Sequence, residues 1–395
     1  MRRCDVAVVG LGLIGSAALD ALMRHKVDVL GFDPLAPGAK HGSSHGSCRV
    51  FRRFNFENTN YTLLSDEALE GWKRLSQESG AELLIPRPIL EAGPKGSVMV
   101  AASRKAASDS GLEVPLLTGK EVNARFPAFR LDNDWDAVVH DGGAILLAQA
   151  ALAALRARAE ALGRIVPDEV INLEHFRDHV MLRTAGGETI RANKVILSPG
   201  PWLTKILPEL APLLDVTRQT VGWFKPVQPE TVGLDAFPLF ILARSEDDII
   251  YGFPDFEDRG VKVAPHNHGP SVDADAWNPP ATDEELRSVC AALAELVPGA
   301  AGPITERDVC LYTNTRPADR RPDAGEEFII DRWPNSNLIV ASACSGHGAK
   351  FAPAIGERLA SLATDPDFWV EPFFRLSRYS AFPDDTHPEI GNPLV

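Results

Sequence analysis

The chain has 395 residues, 45% of them hydrophobic, and a formal net charge of −14. That length favours two domains and a sizeable core. The acidic balance speaks against nucleic acid or an anionic membrane as partner, so an anionic substrate would have to meet a local cluster of Arg and Lys. No apolar run approaches the roughly 20 residues of a membrane span.

The N-terminus, Met1-Arg2-Arg3 followed by an apolar stretch, imitates a signal peptide, but Gly10, Gly12 and Gly15 interrupt the apolar segment. Residues 4–9 read as a short buried strand. Gly10-Leu-Gly12-Leu-Ile14-Gly15 follows, residues 13–24 have helical character, and a second apolar strand, Val27 to Phe32, ends at Asp33. This is a βαβ unit with G-x-G-x-x-G at its first turn and an acid about 20 residues on. The glycines let backbone approach a pyrophosphate at a helix N-terminus, and Asp33 can accept a ribose hydroxyl. An acid there repels a 2′-phosphate and so disfavours NADP. The motif does not separate FAD from NAD.

His41-Gly-Ser43-Ser44-His45-Gly-Ser-Cys48-Arg49-Val-Phe-Arg52-Arg53 comes next. Small residues permit close approach to a flat ligand, and arginines follow at once. A solvated basic patch is the ordinary reading of such a cluster, but the Gly and Ser spacing favours a loop laid against a cofactor.

From this segment on, the chain resembles the monomeric sarcosine oxidase and N-methyltryptophan oxidase group of amine-oxidising flavoproteins. The resemblance places Arg49 near a flavin ring and Arg52 at a substrate carboxylate. Arg suits both tasks, since its planar fork pairs bidentately with carboxylates and stacks on flat systems. Position 48, usually a hydroxyl residue in close relatives, is Cys48 here.

Further matches follow in order. Tyr251-Gly-Phe-Pro and Gly260-Val-Lys262-Val-Ala-Pro-His266 make Lys262, by resemblance, the cation that promotes reaction with oxygen, with Tyr251 and His266 lining the substrate pocket. By themselves Lys262 reads as an exposed strand lysine and His266 as a loop histidine. Val309-Cys310-Leu-Tyr-Thr313 matches the segment whose cysteine is bonded to the flavin in that group, whereas a buried inert thiol is the plain alternative. Phe328 to Arg332, Asn337 to Ser342 and Ser345-Gly346-His-Gly348-Ala-Lys350-Phe351 read as strand, Gly-rich turn and a helix from about Ala352 to Ala363. The turn would face the flavin's pyrimidine edge, and Lys350 would join Arg52 on the substrate carboxylate. A weaker match, Val195 to Trp202, resembles a second strand and turn closing on FAD.

Residues 316–327 form a longer, polar insertion read as a surface loop, and 85–139 match the group poorly. A helical stretch is expected over 145–163.

The expected fold is α/β (α+β): a Rossmann-like FAD-binding domain (1–84, 140–215, 305–395) interleaved with a mixed-sheet substrate domain (85–139, 216–304). The resemblance implies an FAD-dependent oxidase, the flavin covalent through Cys310, acting on a secondary amino acid such as an N-methyl amino acid. It would oxidise the C–N bond to an imine and reduce O2 to hydrogen peroxide. Alternatives are a flavin-dependent amine dehydrogenase with another acceptor, and an oxidase of a cyclic imino acid or a sugar-amine adduct. An NAD-linked dehydrogenase draws support from the first motif only. The expected residues are Lys262, Arg49, His266 and Tyr251 for catalysis, and Arg52, Lys350, Tyr251 and Cys48 for substrate. Those for the cofactor are Gly10, Gly12, Ile14, Gly15, Asp33, Ser43, Ser44, His45, Arg49, Cys310, Gly346, Gly348 and Lys350. No metal is expected. Five cysteines without disulfide-like spacing predict a reducing, cytoplasmic setting, and the resemblance predicts a monomer.

Overall fold

The computed structural model describes residues 1–36, 39–58, 60–266, 269–276, 279–320 and 327–383. Residues 321–326 of the expected insertion lie outside the described residues.

Two sheets organise the described chain. The first runs Ile329–Arg332, Leu338–Ser342, Thr189–Leu197, Arg2–Val9, Val29–Phe32 and Ile165–Val166. From Leu338–Ser342 onward these strands are parallel, as right-handed βαβ crossovers require, and Ile329–Arg332 caps the edge antiparallel. The hairpin Val170–His175 and Val180–Thr184 extends the early part of Thr189–Leu197. The parallel strands read as continuous apolar runs because helices cover them. Leu13–Arg24 packs on Ala352–Thr364 so closely that a Cβ on Gly356 would lie 2.6 Å from the Ala17 backbone.

The second sheet, of nine strands among the described residues, runs Ile304–Thr315, Leu214–Phe224, Val261–Pro265, Asp248–Phe253, Leu239–Ser245, Leu84–Gly93, Asp136–Leu147 and Cys48–Arg52, with Leu117–Thr118 beside Asp136–Leu147. One face packs on a core that includes Phe240, Leu242, Ile250, Val261 and Val263, under the helix Arg287–Leu296. The alternate residues, Ile241, Tyr251, Phe253, Lys262 and Ala264, face a cavity instead.

Two expectations need amending. The second strand begins at Val29 rather than Val27, because the chain first turns through Lys26 at φ 60°. The helix expected over 145–163 covers Ala148–Ala161, since residues 145–147 pair in the second sheet with Cys48–Val50. Strands Cys48–Arg52 and Ile304–Thr315, with the 140–147 half of Asp136–Leu147, lie in the second sheet although the expected boundaries give them almost wholly to the FAD unit. We propose a division drawn on the sheets, with those strands in the substrate unit. No helix of the described residues is long and apolar enough to cross a membrane.

Candidate active site

A cavity of about 870 Å³ lies between the two sheets. Its first wall is the turn after Arg2–Val9. Gly10 has φ +87°, and a Cβ there would lie 2.5 Å from the Ser198 carbonyl oxygen, so only glycine fits. A Cβ on Gly12 would meet Ser44 Oγ at 2.8 Å, the same hydroxyl that accepts from Leu13 N–H at 3.0 Å. Gly15 does not line the cavity. It lies behind the turn, where a Cβ would fall 1.9 Å from the Gly10 carbonyl oxygen. Asp33 lines the cavity, and its two carboxylate oxygens accept from Leu11 N–H and Leu35 N–H at 2.8 Å each. Each oxygen keeps lone-pair capacity for a hydroxyl.

The loop 41–47 bridges the sheets. His45 Nε2 lies 2.6 Å from the Val309 carbonyl oxygen, and Leu311 N–H donates to Gly42 O at 3.1 Å. Burial, then the Arg49 charge, lowers the His45 pKa, which favours the neutral ring. Arg49 donates to the carbonyls of Cys48, Ser43 and His45 at 2.9, 2.8 and 2.6 Å. It thus stitches the loop and brings a cation to the cavity beside Cys310. Burial pushes the Cys310 thiol up, while Arg49 and Lys262 pull it down.

Register sets the far wall. Lys262 pairs across from Trp223 on one side and Phe253 on the other. Its ammonium lies 5.3 Å and 5.1 Å from those ring centres and donates to the Cys48 carbonyl at 3.2 Å, with Cys48 Sγ at 3.5 Å. Burial lowers its pKa, as expected of an ammonium 5% exposed. Lys262 is therefore not the exposed strand lysine that its local sequence suggests. Cys310 pairs with Gln219, and Tyr312, two residues on, shares its face. The Tyr251 and Tyr312 hydroxyls lie 3.4 Å apart. Burial pushes the Tyr251 phenol up to about 12, with Cys310 adding to it. His266 stands edge-on to Tyr251 at 6.3 Å.

The last wall is the turn at 343–350. Gly346 has φ +71°, and a Cβ on it would meet Tyr312 at 2.6 Å, while one on Gly348 would meet the Ala343 carbonyl oxygen at 1.9 Å. Trp72 Nε1 donates to Lys350 O at 2.8 Å and anchors the turn to the helix Tyr61–Ser79. The Lys350 ammonium, 2% exposed, donates to His347 O at 3.2 Å. Burial lowers its pKa to about 7, with the Arg52 charge acting the same way. Arg52 lies over the Phe56 ring at 4.0 Å and donates to Glu91 Oε1 at 3.2 Å and to Glu57. Burial opposes ionisation of Glu57, but Arg52, His347 and Lys350 together hold its carboxyl well below the usual range.

Every expected site residue except Gly15 thus lines one cavity. Sequence reasoning missed Glu57, Glu91, Tyr312 and His347. Tyr312 was findable, being two residues from Cys310 on a strand. His347 lies inside the Gly-rich turn already singled out. Glu57 and Glu91 carry no local signal, since only the tertiary fold brings them to Arg52.

The lining fits FAD. Ser43 Oγ, Gln219 Oε1, Thr313 Oγ1, Ser342 Oγ and His347 Nδ1 are buried, line this cavity, and have no hydrogen-bond partner among the described residues. Such groups are costly unless a ligand or water satisfies them. With the glycine cradle, they suit a long ligand bearing a flat, polar ring.

Comparison with known proteins agrees. The chain is 34% identical over 371 residues to monomeric sarcosine oxidase of Arthrobacter sp. (strain TE1826), covering 91% of this chain and 92% of that protein. It is 30% identical over 385 residues to N-methyl-L-tryptophan oxidase of Salmonella heidelberg (strain SL476), covering 96% and 100%. Among solved structures, NikD, described as an unusual amino acid oxidase essential for nikkomycin biosynthesis, superposes with TM-score 0.81 at 21% identity over 98% of this chain and 100% of that one. L-proline dehydrogenase from P. horikoshii superposes with TM-score 0.76 at 18% identity over 92% and 94%. At those identities the two structures speak to the fold alone. Residues 5–362 match the DAO family, FAD dependent oxidoreductase, and the chain belongs to that family.

Proposed function

We propose that this FAD-dependent oxidoreductase is an oxidase of a small secondary amino acid, such as an N-methyl amino acid, producing an imine and hydrogen peroxide. One observation carries the reading. Arg52, Lys350, Lys262, Tyr251, His266 and Cys310, spread over 299 positions of the sequence, line the same cavity as the glycine cradle. The curated relatives named above support the substrate class.

Gly10, Gly12, Ile14, Asp33, Ser43, Ser44, His45, Gly346 and Gly348 would hold the FAD, with Gly15 shaping the turn from behind. Cys310 is the residue we propose for covalent attachment, and Arg49 and Lys262 beside it favour its thiolate. When bound, FAD would supply the redox chemistry, as acceptor for the two electrons of the C–H bond next to the substrate nitrogen and as their donor to oxygen. The chain's own residues supply orientation and charge. Arg52 and Lys350 bind the carboxylate from two directions and so fix the neighbouring C–H. Tyr251 stays protonated at neutral pH and presents a neutral polar edge with Tyr312. Lys262, largely out of water, stabilises negative charge developing on oxygen. Cys48 holds the Lys262 ammonium in place. We further propose a monomer in a reducing, cytoplasmic setting, supported by the first relative's name and by five cysteines that are all unpaired.

Lys262→Met tests the oxidase assignment. Stopped-flow should show reoxidation by oxygen slowed by about 100-fold or more, the scale of a lost preorganised charge, with anaerobic reduction by substrate affected far less. Equal slowing of both half-reactions would contradict it.

A further inference from the structure

Arg52 meets two carboxylates through different nitrogens, Glu91 through Nη1 and Glu57 through Nη2. Glu57 lines the cavity. Glu91 does not: it is 0% exposed, in the interior strand Leu84–Gly93, between Ile241 and Val138 on the neighbouring strands. A carboxylate in the middle of a sheet costs several kcal/mol unless it is paired. Its Oε1 accepts from Arg52 at 3.2 Å, and its Oε2 faces His140 Nε2 at 3.6 Å.

The fold fixes which nitrogen of His140 carries the proton. Gly142 N–H donates to His140 Nδ1 at 3.1 Å, so Nδ1 is an acceptor and the proton sits on Nε2, towards Glu91. Glycine permits this approach, since a Cβ at position 142 would lie 3.0 Å from Nδ1. Phe54 packs edge-on against the ring at 5.0 Å. Glu91 Oε2 and His140 Nε2 are both buried and without a hydrogen-bond partner among the described residues, so His140 bears on Glu91 by proximity, and the hydrogen-bonded link to the cavity is the one from Arg52 to Glu91 Oε1. Arg52 has five N–H donors, and Glu91 takes one of them.

We propose that Glu91, with His140 beside it, is the positioning residue that aims Arg52 at the substrate carboxylate. This rests on the reading of Arg52 as carboxylate binder. Glu91 supplies a counter-charge from outside the cavity lining, so Arg52 keeps a fixed pose and a buried partner whatever fills the cavity. Neither Glu91 nor His140 touches the cavity, so both act through Arg52.

The test is equilibrium binding to the holoenzyme, followed by the visible flavin band. Methoxyacetate is the probe, an N-methylglycine isostere with no oxidisable nitrogen, and methoxyacetamide is its uncharged counterpart. Wild type should bind the carboxylate more tightly than the amide. Glu91→Gln should weaken methoxyacetate by about tenfold, the cost of one misaligned charge-assisted hydrogen bond, and leave methoxyacetamide within about twofold. His140→Leu should move the same ratio in the same direction, which keeps the test open if Glu91→Gln does not fold. A general structural role would weaken both probes alike. If wild type prefers the carboxylate and neither variant changes the preference, Glu91 does not aim Arg52. If wild type shows no preference, Arg52 is not a carboxylate binder, and both readings fall together.

Discussion

Cys310 sits between opposing influences: burial raises its pKa, and Arg49 and Lys262 lower it. A thiolate formed there, half-buried, would lose part of its stabilisation by bulk water, and two cations offset that loss. Cys310→Ser should yield a protein whose flavin is released into the supernatant on acid precipitation, whereas wild-type flavin stays in the pellet. Covalent flavin persisting in the variant would refute the attachment site. Lys350 gives a second residue-scale prediction. With its pKa lowered to about 7, it is charged below that value and loses its proton as pH rises through it. A bound carboxylate favours the charged form. KM for an amino-acid substrate should therefore be flat below pH 7 and rise above it by up to about tenfold per unit, until the pKa of the complex is reached. A Lys350→Met variant should show a high KM without that rise. A wild-type KM flat from pH 6 to 9 would contradict the clamp.

At the scale of elements, the nucleotide turn is held by glycines that serve different ends. Gly10 lets the turn lie against the Ser198 carbonyl and Gly12 lets it lie against Ser44, while Gly15 lets the helix Leu13–Arg24 start against the turn. Gly15→Ala places a methyl 1.9 Å from the Gly10 carbonyl oxygen and should destabilise the holoenzyme by about 1–3 kcal/mol. Its flavin content on purification should fall. Full flavin occupancy with an unchanged Tm would show that the turn tolerates the shift. This unit was the most legible part of the sequence, because every contact in it is local: strand, turn, helix and acid follow within 33 residues. The helix from Ala352 was equally plain, since the Gly-rich turn before it and its apolar face are both local. Boundaries failed where pairing partners are distant. Residues 145–147 look helical with their Ala and Leu neighbours, yet they pair with Cys48–Val50 about 100 residues earlier.

For the whole molecule, a protein of net charge −14 gathers Arg49, Arg52, Lys262 and Lys350 into one cavity between its sheets. The resemblance to amine-oxidising flavoproteins picked those residues out of the sequence. The structure adds why they coexist: Glu57 and Glu91 balance Arg52, aromatic rings face Lys262, and carbonyls collect Arg49. None of that balance was legible, because the second sheet sets strands distant in the chain side by side and brings Glu91 and His140 to an arginine from an edge strand. We propose that this site oxidises a secondary amino acid with oxygen as acceptor. The most direct test mixes holoenzyme with N-methylglycine, N-methyltryptophan, proline, pipecolate and a fructosyl amino acid in an oxygen electrode with peroxide measured in parallel. Oxygen uptake should be matched one-to-one by hydrogen peroxide for at least one N-methyl amino acid, and should be absent for the corresponding amide. Flavin bleaching without oxygen uptake would make the protein a dehydrogenase, and no bleaching with any of them would contradict the substrate class itself.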